Sequence, residues 1–183
     1  MLSRMLRSTD TRYSVITRIL HWLVALLIIV LIGIGWWMVD LSYYDRWYNR
    51  SLELHKSLGM AALAVAAVKI AWAIYDNKPG FADGIKAWER TAATATHHLF
   101  YLLMLLIPVT GYVISTSAGD GISVFGLFEI PALLRVSERL RDLVIELHFW
   151  LAYGTAALVV GHALAAFKHQ FIDRDGTLRR MFW

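Results

Sequence analysis

His148 and His162 stand fourteen residues apart in one apolar stretch, ELHFWLAYGTAALVVGHALAAF. On an α-helix, that step advances about 21 Å and returns to within about 40° of the same face. Imidazoles held this way would lie near opposite sides of a hydrocarbon layer about 30 Å thick. Neutral imidazole is the commonest metal ligand among side chains. The spacing therefore suits two redox centres stacked through a membrane, provided other segments bring partners to matching depths.

The composition supports a membrane setting. The chain of 183 residues is 58% hydrophobic and only 17% charged, where a soluble domain carries about 25% charged residues. Cysteine is absent. That excludes disulfides, thiolate metal sites, cysteine-held iron–sulfur clusters and C-x-x-C-H attachment of haem. Four apolar segments, at about 19–39, 58–75, 92–114 and 144–167, are predicted to span. Backbone groups in lipid must bond internally, so each is expected to be helical. The expected fold is all-α, an integral membrane four-helix bundle forming a single domain over residues 1–183. Pro108 removes one ladder hydrogen bond and predicts a kink in the third helix. Gly33, Gly35, Gly59, Gly111, Gly154 and Gly161 suit close helix approach. The first segment reads as a retained helix. Its apolar run is too long for a signal peptide, and no small-residue cleavage site follows GIGWWMVD. Trp36, Trp37, Trp47 and Tyr48 suit an interfacial belt around its exit.

Orientation is read from Lys and Arg. An even number of spans places the N-terminal arm, the loop after the second helix and the C-terminal tail on one side. Arg4, Arg7, Arg12, Arg18, Lys78, Lys86, Arg90, Lys168, Arg174, Arg179 and Arg180 lie there, with Lys69 close to that surface. The other side holds Arg46, Arg50, Lys56, Arg135, Arg139 and Arg141. The positive-inside rule then puts both termini in the cytoplasm of a bacterial inner membrane. The basic residues flank spans and form no single stripe, so no nucleic acid is expected as a partner.

With this topology the histidines sort by depth. His21 lies just inside the first helix and His162 near the end of the fourth, both on the inner side. His55 is expected immediately before the second helix, and His148 about one turn into the fourth, both on the outer side. A lone histidine in an apolar helix is often only a packing residue, but intramembrane ionisable groups are costly. Two depth-matched pairs, His21/His162 and His55/His148, argue for a site. A structural zinc wants four N or S ligands, and each layer offers two. Two axial imidazoles on facing helices suffice for haem iron.

These residues and their surroundings resemble the bacterial cytochrome b561 family, four-helix membrane proteins with two haem b groups. The likeness runs nearly end to end. It is carried by ILHW at His21, LHKSLG at His55, HHLFYLLMLLIPVTG in the third helix, LHFWLAYG at His148, GHALAAFKHQF at His162 and RDGTLRRM near the end. The resemblance implies that His21 and His162 hold one haem b and His55 and His148 the other. It makes ubiquinone the acceptor. It also implies a periplasmic electron donor, superoxide or a redox protein, as in relatives that resemble superoxide oxidases and feed the respiratory quinone pool. Lys69 stands where relatives often have arginine, and would face a haem propionate as a point charge rather than a fork. His169 would contact quinone or a proton path. His97 and Tyr101 are i, i+4 neighbours on one face, suited to a propionate, a quinone or plain packing, while His98 points elsewhere.

The expected activity is that of an electron-transfer oxidoreductase, in one version superoxide:quinone; no catalytic residue is singled out. Asp10, Asp76, Asp83, Glu89, Asp173 and Asp175 read as solvated charges on the inner side. A superoxide anion would be steered by Arg46, Arg50 and Lys56 beside His55, although the outer face is formally acidic, with eight acids to six bases. The segment GISVFGLFEIPALLRV is expected to form a short helix on the membrane surface or over the outer haem. Two other readings stay open. One is the cytochrome b anchor of a larger dehydrogenase or hydrogenase. The other is a haem-free proton or metal transporter.

Overall fold

The computed structural model describes residues 7–82 and 84–182; Arg4 and Asp83 of the charge reading lie outside them. Helix α1 spans Val15–Val39, α2 Tyr48–Tyr75, α3 Ala87–Thr116 and α4 Glu138–Phe167. All four are long and apolar enough to cross a membrane. Successive helices pack together, α1 on α2, α2 on α3 and α3 on α4, with a lighter α1–α4 contact. This is an up-and-down four-helix arrangement. Val24, Ala66 and Met104 form the buried centre, with Ile28, Val65 and Tyr101 against them. Large apolar side chains such as Leu26, Leu102 and Val160 point outward and stay exposed, as a lipid-facing surface requires.

Each helix outruns its apolar segment. Apolar length measures the hydrocarbon crossing, whereas polar turns beyond it remain helical in water if they can be capped. Ser14 Oγ accepts from Thr17 N–H at the start of α1, and Ser137 Oγ accepts from Leu140 N–H at the start of α4. Glu89 Oε2 accepts from Lys86 N–H at 3.0 Å at the start of α3. Two expectations are corrected here. His55 lies inside α2, which begins at Tyr48, and His148 lies about three turns into α4 rather than one. The third helix continues through Pro108.

The outer loop is the larger correction. Instead of a short helix, residues 121–136 hold an antiparallel hairpin of β1 (Ile122–Val124) and β2 (Phe128–Ile130). Phe125 and Gly126 have φ of 53° and 71°, the paired positive values of a tight hairpin turn. Leu127 N–H closes it on the Val124 carbonyl at 3.0 Å. Pro131 then ends the pairing. Ser57 pins the hairpin to α2: its Oγ accepts from Phe125 N–H at 3.0 Å and donates to the Ser123 carbonyl at 3.3 Å. Ile122 and Val124 are buried beneath it. Tyr112 fastens the following segment, accepting from Leu133 N–H and donating to the Pro131 carbonyl.

The opposite end is tied by Asp76. Its carboxylate accepts from Ser8 N–H (2.8 Å), Ser8 Oγ (2.7 Å), Ser14 Oγ (2.9 Å) and Thr17 Oγ1 (2.7 Å). Burial pushes this carboxyl up, but the hydrogen bonds outweigh it and hold the pKa at about 2. The C-terminal tail crosses the same end. Trp22 Nε1 donates to the Met181 carbonyl at 3.0 Å, and Arg180 to the Gly80 carbonyl at 2.7 Å.

Candidate functional site

Two levels of imidazole cross the bundle. His55 of α2 faces His148 of α4 with ring centres 6.4 Å apart and planes at 75°. His21 of α1 faces His162 of α4 at 6.3 Å and 56°. Imidazole nitrogens bond first-row metals at about 2 Å, so two imidazoles on opposite sides of one metal have ring centres about 6 Å apart. Both pairs have that spacing, and all four rings are half-buried. The sequence pairing by depth is thus a pairing in space.

The outer pair borders a cavity of about 680 Å³ that reaches inward to Val24 and Phe100. Its size suits a small-molecule or cofactor site, a class that runs about 300–1,000 Å³. Its walls are mostly aliphatic and aromatic. Gly35 of α1 and Gly111 of α3 close on the two outer rings. A Cβ on Gly35 would lie 3.4 Å from His55 Cε1, and one on Gly111 3.3 Å from His148 Cε1. The backbones therefore press against the imidazoles only because these positions lack side chains.

His148 has a fixed tautomer. Its Nδ1 lies 3.1 Å from the Ile107 carbonyl and 2.9 Å from Thr110 Oγ1. A carbonyl only accepts, and the Thr110 hydroxyl already donates to that same carbonyl at 2.7 Å. Nδ1 must carry the hydrogen, which leaves the Nε2 lone pair for a metal. Nδ1 of His55 is buried with no hydrogen-bond partner among the described residues.

The inner level holds a third imidazole. His97 of α3 has its ring centre 5.9 Å from that of His162, and Phe100 meets His162 edge-on at 5.4 Å. The sequence reading left His97 outside the depth-matched set; the structure brings it into the inner level beside His21 and His162. One signal could have placed it. The step of fourteen recurs in every helix: His21 to Gly35, His55 to Lys69, His97 to Gly111, His148 to His162. The inner level thus draws His21, Lys69, His97 and His162 from the four helices, and the outer level Gly35, His55, Gly111 and His148. Lys69 is half-buried and His98 is exposed. Tyr101 packs against the buried centre, and Lys78 Nζ lies 5.7 Å from its ring centre.

His169 sits in a π-helical turn, Lys168–Asp173, that continues α4. Its Nδ1 lies 2.7 Å from Asp175 Oδ2 and 3.1 Å from Asp173 Oδ2. Lys168 Nζ is 2.6 Å from both Glu89 Oε1 and Asp173 Oδ2. Glu89, His169 and Asp173 bring ligand atoms within 4.8 Å of one another, but the Lys168 ammonium already supplies the positive charge there. Burial raises the Asp175 pKa, and hydrogen bonds from Thr177 and His169 more than reverse this, so it stays below the usual carboxylate range. The reading of the inner acids as solvated is therefore corrected for Asp76, Glu89 and Asp175, while Asp173 stays exposed but ion-paired. Each has a capping, hydrogen-bonding or ion-pairing partner that only the folded chain brings near.

The outer bases meet different neighbours. The Arg46 and Arg50 guanidinium carbons lie 5.3 and 5.7 Å from the Trp47 ring centre. Arg141 pairs with Asp142 at 2.9 Å. Lys56 alone of the six borders the cavity.

A family model described as prokaryotic cytochrome b561 matches residues 12–183. The chain is 42% identical over 174 residues to cytochrome b561 homolog 2 of Escherichia coli (strain K12), covering 95% of this chain and 93% of that protein. It is 29% identical over 172 residues to the probable superoxide oxidase CybB of Yersinia pestis, covering 93% and 95%. Against cytochrome b561 homolog 1 of Escherichia coli (strain K12) the identity is 24% over 174 residues, covering 93% and 96%.

Proposed function

This chain belongs to the prokaryotic cytochrome b561 family of membrane b-type cytochromes, and from that membership we propose that it holds two haem b groups and carries electrons between an outer donor and ubiquinone. Membership sets aside the haem-free transporter. The observation that carries the two-haem reading is the pair of imidazole couples, 6.3 and 6.4 Å apart, at two depths.

His55 and His148 would hold the iron of the outer haem, and His21 and His162 that of the inner one. When bound, these groups supply one-electron couples at two levels of the membrane. The chain's own work is to hold and screen them. Ile107 and Thr110 take the Nδ1 hydrogen of His148 and leave its Nε2 as the ligand atom. Gly35 and Gly111 leave the rings room. The apolar walls keep water away and the local dielectric low. Lys69 would hold an inner propionate, and His97 would offer a hydrogen bond to a propionate or to quinone. His169, with Nδ1 tied to Asp173 and Asp175, presents Nε2 to a ubiquinone oxygen or a proton path.

The basic residues support a topology with both termini facing the cytoplasm at the inner membrane, and a donor in the periplasm. That donor is superoxide or a redox protein; the relative described as a probable superoxide oxidase supports the first. The balance is then simple. Two superoxide anions each lose one electron to become dioxygen. One ubiquinone gains two electrons and two protons to become ubiquinol.

The test is a histidine substitution read by pigment extraction. His148→Ala should bind one haem b per chain where the parent binds two. Retention of both at full stoichiometry refutes the pairing. For the donor, purified protein with ubiquinone should consume superoxide faster than spontaneous dismutation; no acceleration removes superoxide as the substrate.

A further inference from the structure

Lys56 is the one Lys, Arg, Asp or Glu side chain among the described residues that line the cavity. It follows His55 directly and is half-buried. Among the described residues it has neither a hydrogen bond nor an ion pair. Neighbouring Ser57 is pinned to the hairpin, and Ile122, which is buried, also lines the cavity. None of the eight outer acids borders the cavity. An unpaired cation bordering an apolar cavity, with no acid beside it, makes the local field there positive and attracts anions. We propose that Lys56 is an anion-holding residue at the outer end of the cavity, and that it makes this cavity select negative charge on a face whose formal charge is negative.

The proposal rests on the two-haem reading above. Two anions fit the chemistry: a carboxylate of the outer haem, or a small mobile anion such as superoxide arriving as donor. They differ in what the lysine changes. A cation beside a resident carboxylate stabilises the reduced form of the outer centre, so removing it lowers the midpoint potential. A cation that gathers a mobile anion raises the encounter rate at low salt only, because the screening length falls to about 3 Å at 1 M.

The experiment compares the haem-loaded parent with Lys56→Gln and Lys56→Arg. Three quantities are measured: haem per chain, outer midpoint potential, and the second-order rate of oxidation of superoxide delivered at a fixed flux, at about 10 mM and about 1 M salt. A mobile anion predicts that Lys56→Gln loses about three- to tenfold in rate at low salt, converges with the parent at high salt and keeps its potential. A resident carboxylate predicts a lowered outer potential, or selective loss of the outer haem, with no change in the salt slope. In both cases Lys56→Arg restores the parent's behaviour. The proposal is overturned if Lys56→Gln matches the parent in all three quantities, or if Lys56→Arg is as impaired as Lys56→Gln. A parent without two haems would instead refute the two-haem reading.

Discussion

Gly111→Ala would place a methyl carbon 3.3 Å from His148 Cε1, and the ring can yield only by moving toward the cavity. Overpacking of this size costs about 1–3 kcal/mol. The expected outcome is a perturbed outer haem spectrum with the inner one unchanged; identical spectra would show that the ring tolerates the methyl. Thr110→Val removes an oxygen that accepts from His148 Nδ1. Loss of such an outer-shell partner typically weakens metal binding about 10–100-fold, so the outer haem should leave faster in a haem-transfer assay. The four paired histidines were legible in the sequence because ionisable groups are rare inside membranes. The two glycines were not, although they stand fourteen residues from His21 and His97. An absent side chain acquires meaning only when a neighbouring helix brings a ring against it.

At the scale of elements, Asp76 joins the N-terminal arm and the first turn of α1 to the end of α2 through four hydrogen bonds. Its pKa of about 2 lies below the ordinary carboxylate value. The folded form therefore gains stability above about pH 4, on the order of 2 kcal/mol, and loses it as pH falls toward 2. Asp76→Ala should remove this pH dependence and expose the arm, which limited trypsin digestion at Arg7 and Arg12 would detect. An arm as resistant as the parent's would contradict the role. The apolar runs marked four crossings but not where the helices begin, because capping by Ser14, Ser137 and Glu89 depends on single polar residues outside those runs. The hairpin escaped the reading for a related reason. ISVFGLFEI is apolar in either conformation, and the turn is fixed by Gly126 together with Phe125, a residue that seldom adopts positive φ.

For the whole molecule, the charge asymmetry predicts which face is cytoplasmic. The chain has no cysteine, so single introduced thiols report cleanly. In intact cells a membrane-impermeant maleimide should label Tyr43→Cys, in an exposed outer loop, and spare Arg179→Cys in the tail. The reverse pattern would invert the topology and move the donor to the other side. Depth from sequence position and side from charge were independent readings, and the bundle brings both pairs together in space. The central claim is that these pairs hold haem iron at two levels. Pyridine extraction of the natively produced, purified protein tests it most directly: the account predicts two haem b per chain, and one or none in well-folded material would contradict it.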